Sequence, residues 1–177
     1  MSDFIPQMEP WVGEEERTAL NDYMQSGSWM TEFQKTQEFE RMICNYTSAR
    51  YCIAVNNGTI SLTLAAMACG VEAGDEVIVP NYTMIATPNS VKMLGAVPIF
   101  VDVEIETLCL DISLVEAAIT SRTKAIMLVS ANGRYPLSGI DSFSKLAQKY
   151  NLVLIEDSAQ SLGCFYPDGP HIGTVGH

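Results

Sequence analysis

The residues best placed to do chemistry in this chain stand at the end of an apolar run. Leu152-Val153-Leu154-Ile155 leads straight into Glu156 and Asp157, and Ser158-Ala159-Gln160-Ser161-Leu162-Gly163 follows. In an α/β protein such a run reads as a buried parallel strand whose carboxyl end opens onto a ligand crevice. A carboxylate there wants a cationic partner, supplied either by the protein or by a ligand. Structural carboxylates at strand ends are about as common as functional ones, so the remaining loops must decide.

Three other loops could share that crevice. Asn56-Asn57-Gly58-Thr59 follows an apolar segment and runs into a helix. The glycine permits close backbone approach, and the helix amino terminus offers N–H groups and positive potential to an anion such as phosphate. A plain Asn-Gly turn explains the same residues equally well. Asn81-Tyr82-Thr83-Met84-Ile85-Ala86-Thr87 could lay a flat side chain over a ligand, with Met84 as the candidate, although a methionine facing the core is commoner. Ser130-Ala131-Asn132-Gly133-Arg134 points further polar groups toward the crevice, and neither Asn132 nor Arg134 acquires a firm role.

Two nucleotide-binding readings are excluded by missing motifs. There is no G-x-x-x-x-G-K-[ST], so Asp157 is not the magnesium ligand of a P-loop NTPase. Asn57-Gly58-Thr59-Ile60-Ser61 lacks the G-x-G-x-x-G of a dinucleotide fold. A small phosphate on the first helix and a carboxylate opposite a cationic ring nitrogen remain, and pyridoxal 5'-phosphate carries both complementary groups.

The elements that must position these loops alternate along the chain. Strands are expected at Tyr51–Val55, Glu76–Pro80, Ile99–Val103, Lys124–Val129 and Leu152–Ile155. Helices are expected near Thr59–Cys69, Thr83–Leu94, Ile112–Ile119 and Ser142–Tyr150. Asp111 is the expected N-cap of the third of these, and Gly70, Gly74 and Gly95 mark helix ends. Such alternation predicts right-handed crossovers and a mostly parallel sheet with flanking helices. The first fifty residues are helical in pattern. One helix opens at Gly13-Glu14-Glu15-Glu16, with acids where the dipole favours them, and ends at Gln25-Ser26-Gly27-Ser28. A second amphipathic stretch covers Thr31 to Tyr46, with Phe33, Phe39, Met42, Ile43 and Tyr46 apolar. The expected organisation is a helical arm over residues 1–50 and a larger domain over 51–177.

Composition bounds the function. The chain has 177 residues, 47% of them hydrophobic and 18% charged, with a net charge of -11. That balance suits one soluble domain and argues against a nucleic-acid partner. No apolar run is long enough to span a bilayer, so no membrane partner is expected. The scattered cysteines Cys44, Cys52, Cys69, Cys109 and Cys164 include no C-x-x-C pair. They indicate a reducing cytoplasm and no metal site.

With these residues in view, the chain resembles the DegT/DnrJ/StrS family of nucleotide-sugar aminotransferases, within the fold type I pyridoxal-phosphate enzymes, and most closely the perosamine synthase-like members. The likeness runs from Ile5-Pro6 and Pro10-x-x-Gly13-x-Glu15-Glu16 through Ser26-Gly27-Ser28-Trp29 and Phe39-Glu40. It continues over Ala54-Val55-x-Asn57-Gly58-Thr59, Gly74-Asp75-Glu76-Val77-Ile78-Val79-Pro80 and Gly95-Ala96-Val97-Pro98-Ile99-Phe100-Val101-Asp102. Thr123-Lys124-Ala125-Ile126 and Ile155 to Gly163 complete it.

The resemblance implies that Gly58 and Thr59 bind the cofactor phosphate, that Asp157 pairs with the pyridine nitrogen, and that Gln160 lies near the phenolic oxygen. It places Met84 where many members stack an aromatic ring. An anion beside the ring nitrogen keeps it protonated, which makes the ring an electron sink. The implied reaction is amino transfer from an amino acid, glutamate, to a nucleotide-linked keto sugar, in a homodimer. A sister dehydratase, which replaces the anchoring lysine with histidine, is the alternative enzyme. The family's lysine follows the aspartate strand, whereas Lys35, Lys92, Lys124, Lys145 and Lys149 all precede Asp157. No catalytic residue is therefore assigned, and the chain is expected to be an incomplete fold type I large domain. It would be inactive alone, either as a remnant of a longer frame or as a non-catalytic dimerising fragment. On that reading Tyr51–Val55 loses its sheet neighbour and exposes an apolar edge.

Overall fold

The computed structural model describes residues 5, 8–27, 29, 33–167 and 169–176. Pro6, Ser28, the start of the second amphipathic stretch at Thr31, and His177 lie outside the described residues. The chain forms two compact units, Met1–Glu38 and Phe39–His177.

In the first unit, α1 spans Glu14–Gln25. Its three first-turn acids sit at the positive end of the helix dipole. Glu16 reaches back to accept the Gly13 N–H at 2.6 Å, closing the amino terminus. The helix α2, Gln34–Thr47, carries the chain from the first unit into the second. Phe33 stands just before it, with φ at 60°.

The second unit is a parallel α/β sandwich. Its helices and strands run α3 (Gly58–Ala68), β1 (Glu76–Pro80), α4 (Ala86–Lys92), β2 (Val97–Val101), α5 (Ile112–Ala118), β3 (Thr123–Val129), α6 (Ile140–Tyr150) and β4 (Val153–Asp157). The four strands lie in the order β2-β1-β3-β4, every pair parallel. Successive side chains take opposite faces of the sheet, and the core divides accordingly. Ile78, Ile126, Leu128 and Leu154 pack with Val115 of α5 and Phe143, Leu146 and Ala147 of α6. Val77, Val79, Ala125, Met127 and Ile155 pack with Leu62 and Ala66 of α3 and Val91 of α4. Strands buried on both faces are why these stretches read as continuous apolar runs.

The strand expected at Glu76–Pro80 has those bounds, and Asp111 caps α5 by accepting the N–H groups of Ser113 and Leu114. Other expectations need correction. Tyr51–Val55 forms no strand; the Ala54 N–H donates to Glu40 Oε1 at 2.8 Å, and Tyr51 and Ile53 are 79% and 80% exposed. Apolar alternation cannot make a strand where no neighbouring strand offers a ladder. β2 begins at Val97, two residues earlier than expected, because its register starts opposite Glu76. The helix expected from Thr83 starts only at Ala86. Pro88 has no N–H to donate, so it must sit within the first turn. Gly74, with φ at 91°, turns the chain into β1 instead of ending a helix. Glu156 and Asp157 belong to β4 and not to the loop after it, since Leu128 pairs with Glu156 and Val129 with Asp157. Among the described residues no helix is long and apolar enough to cross a membrane.

Candidate functional site

The loops leaving the carboxyl ends of β1, β3 and β4 converge with the amino terminus of α3 around one cavity of about 380 Å³. Its wall takes Gly58, Thr59 and Leu62 from α3, and Tyr82, Thr83, Met84 and Ala86 from the β1–α4 segment. Val129 ends β3 and Ser130 to Asn132 follow it, while Asp157, Ala159 and Gln160 complete the lining. All five candidate residues, Gly58, Thr59, Met84, Asp157 and Gln160, therefore face the same space. Arg134 is absent from the wall; its guanidinium donates to the Glu106 carbonyl at 3.3 Å.

The α3 terminus is shaped by its cap. Asn57 has extended backbone, and its Oδ1 accepts the Ile60 N–H at 3.0 Å. The Asn57 carbonyl takes the Ser61 N–H at 3.1 Å. The N–H groups of Gly58 and Thr59 have no acceptor within the helix, as is general for a first turn. Both residues line the cavity, so this turn presents two donors and the positive dipole end to it. A Cβ built on Gly58 meets nothing within 4 Å. The glycine thus relieves no crowding within the protein, and only an incoming ligand would feel a side chain there.

Asp157 lines the same cavity and is 8% exposed. Its Oδ2 accepts the Thr87 hydroxyl at 2.8 Å, and its Oδ1 receives only a long contact, 3.4 Å, from the Ala159 N–H. Among the described residues no lysine, arginine or histidine forms an ion pair with it. A nearly buried carboxylate without a cation is expensive unless a ligand brings the positive charge.

Gln160 is fixed by its neighbour: Oε1 accepts the Asn132 N–H at 2.8 Å. With its oxygen engaged, the side chain keeps an NH₂ group for donation. Gly133 makes this approach feasible. It has φ at 74°, and a Cβ there would stand 2.8 Å from Cys164 Sγ and 3.5 Å from the Gln160 carbonyl oxygen. Met84 is 68% exposed, so it is no core residue, and its flexible thioether can follow the shape of a flat ligand. Thr83, which sequence reasoning passed over, adds a hydroxyl to the wall, and Thr87, also passed over, lies buried behind it.

Taken together, one cavity wall offers N–H donors suited to an anion, a carboxylate with no cation beside it among the described residues, and an exposed thioether. Pyridoxal phosphate, with its phosphate, aromatic ring and basic ring nitrogen, fits that donor set. No group of three or more potential metal ligands occurs among the described residues.

Residues 10–177 match the DegT/DnrJ/EryC1/StrS aminotransferase family. Among solved structures the chain is similar to the aminotransferase from Psychrobacter cryohalolentis, with 35% identity and a TM-score of 0.88, over 95% of this chain and 42% of that one. It is similar to 3-amino-5-hydroxybenzoic acid synthase, with 34% identity and a TM-score of 0.86, over 93% of this chain and 42% of that one. A further likeness, at 26% identity and a TM-score of 0.85, is to the E. coli GDP-4-keto-6-deoxy-D-mannose-3-dehydratase with bound hydrated PLP, over 97% of this chain and 44% of that one. The chain spans less than half the length of these structures.

Proposed function

This chain belongs to the DegT/DnrJ/EryC1/StrS aminotransferase family, and on that premise we propose that its cavity holds pyridoxal 5'-phosphate for amino transfer to a sugar. The single observation that carries the reading is the nearly buried Asp157, lining one cavity with the α3 terminus and with no cation of the described protein paired to it. Gly58 and Thr59 would bind the phosphate through their N–H groups. Asp157 would keep a proton on the ring nitrogen. Gln160, its oxygen engaged by Asn132, would donate to the phenolic oxygen, and Met84 would cover the ring face in place of an aromatic side chain. When bound, the cofactor supplies an electron sink that lets an amino acid surrender its nitrogen.

The reaction of the whole protein is transfer of that nitrogen from an amino acid, glutamate, to a keto group on a nucleotide-linked sugar, in a cytoplasmic homodimer. Among the described residues no lysine lines the cavity, so these residues would hold the cofactor without a covalent anchor and are expected not to turn over by themselves. The similarity to a sugar dehydratase supports a second reading, cofactor-dependent dehydration of a keto sugar, built on the same cavity wall.

Titration of the chain with pyridoxal 5'-phosphate, followed by cofactor absorbance and protein fluorescence, tests the assignment. Saturable uptake is expected, weakened about tenfold to a hundredfold by Asp157→Asn, the range for losing a hydrogen bond to a charged group. Equal affinity in the variant would remove Asp157 from the site. Borohydride reduction with the amino donor present should leave no cofactor-modified lysine accompanied by turnover.

A further inference from the structure

Behind the cavity wall runs a short chain of hydroxyls with a defined direction. Asp157 Oδ2 is an acceptor only, so the Thr87 hydroxyl, 2.8 Å away, spends its one hydrogen on it. Thr87 Oγ1 is also 2.8 Å from Thr83 Oγ1. With its own hydrogen committed, Thr87 must accept there, and Thr83 must donate. The order is Thr83 to Thr87 to Asp157.

The placement of the three residues is informative. Thr83 and Asp157 both line the cavity, whereas Thr87 is fully buried, at 0% exposure, and contributes nothing to the wall. Thr87 is itself held in place. It lies in the first turn of α4, its N–H donates to the Met84 carbonyl at 3.0 Å, and its carbonyl accepts the Ser90 hydroxyl at 2.7 Å. One oxygen of Asp157 is therefore tied to a rigid helix, and the other keeps only the long contact with the Ala159 N–H.

We propose that Thr87 is a positioning residue that acts through Asp157: it ties back Oδ2 and so turns Oδ1 toward the cavity, with Thr83 as the upstream donor of the relay. The proposal rests on the cofactor reading above. There, a single carboxylate oxygen must meet a single ring nitrogen, and a carboxylate free to rotate would spread its charge over several directions. An aliphatic residue of equal size at position 87 would fill the space and lose the aim.

The test uses the full chain, pyridoxal 5'-phosphate as probe, and four variants. Thr87→Val should weaken cofactor binding by about tenfold, as for the loss of a hydrogen bond to a charged group. It should also shift the magnetic resonance of a nitrogen-labelled cofactor ring toward the unprotonated position, a change that a purely structural role would not produce. Thr87→Ser restores the donor and should return both readings to near those of the parent chain. Thr83→Val removes the upstream donor and should move both in the same direction by less, which provides the same test if Thr87→Val fails to fold. A ring-nitrogen signal unmoved in Thr87→Val, or in Thr83→Val should that variant stand in for it, would overturn the proposal while Asp157→Asn still weakened binding. If the parent chain takes up no cofactor, or Asp157→Asn binds it as well as the parent, the underlying reading fails and the relay loses its purpose with it.

Discussion

Glu156 and Asp157 are neighbours in the chain, yet their carboxylates serve opposite faces of β4. Asp157 lines the cavity. Glu156 accepts the Tyr166 hydroxyl at 2.6 Å and the N–H groups of Gly173, Val175 and Gly176 at 2.9, 2.7 and 2.5 Å. Burial, reinforced by the Glu156 carboxylate that accepts its proton, pushes the Tyr166 phenol well above its usual 10.0. One acid is left for a ligand, and the other gathers the turn after His171 against the strand. The close packing of that turn shows at its glycines: a Cβ on Gly176 would lie 2.8 Å from the Leu154 carbonyl, and one on Gly173 2.8 Å from Ser158 Oγ.

Glu156→Ala should therefore destabilise the second unit by about 2–3 kcal/mol, because several donors lose their acceptor at once. Thermal unfolding should begin roughly 5–10 °C lower for a chain of this size. Limited proteolysis should show early cleavage between residues 169 and 176, and cleavage there at the parent rate would contradict the anchoring role.

Gly58→Ala separates fold from ligand. The protein has room for the new methyl group, and alanine is the better helix residue by up to about 1 kcal/mol. Melting should hold steady or rise. Pyridoxal 5'-phosphate affinity should fall several-fold, since the methyl group would stand between the phosphate and the first-turn donors. An unaffected dissociation constant would show that the phosphate binds elsewhere.

Asn57→Ala removes the side chain that caps α3. The expected cost is about 1 kcal/mol, typical of a lost N-cap. Chemical denaturation should report that change through its midpoint with an unaltered slope. Asn57→Asp, which restores an acceptor, should recover most of the loss.

Acid sensitivity should trace to Glu76. Its carboxylate is held below the usual 4.5 first by the Thr120 hydroxyl and then by Arg122, against the opposing effect of burial. A carboxylate with a lowered folded value adds stability that is present above its unfolded value and lost as the solution is acidified through the folded one. Melting temperature should thus fall from about pH 4.5 downward. Glu76→Gln should flatten that part of the profile; a profile identical to the parent's would assign the sensitivity to other acids.

Much of the fold was legible because strands buried on both faces cannot hide. Glu76–Pro80 stands out as five apolar-dominated residues after the Gly74-Asp75 turn, and all five are buried. Tyr51–Val55 has the same apolar character and forms no strand, because pairing belongs to two segments and a sequence window shows only one. The acids of β4 read as loop residues since charge is rare inside a sheet, yet the backbone ladder with β3 extends beneath them. That Gly58, Thr59, Asp157 and Gln160 would border one crevice was legible from loop position. Thr87 was not, because a threonine in a helical first turn is ordinary until the fold places it beside a carboxylate seventy residues on.

The strand order has a consequence for how the molecule comes into being. β1 emerges first but ends up inside the sheet, flanked by β2 and β3, and no two strands are joined by a hairpin. Each pairing waits for a helical crossover to be completed, so no tight turn can seed the sheet locally. Nucleation must recruit segments far apart in sequence, which places this topology on the slow side for its size. Until then β1 is a naked apolar ribbon on a growing chain, and chaperone supply should govern the yield of folded protein.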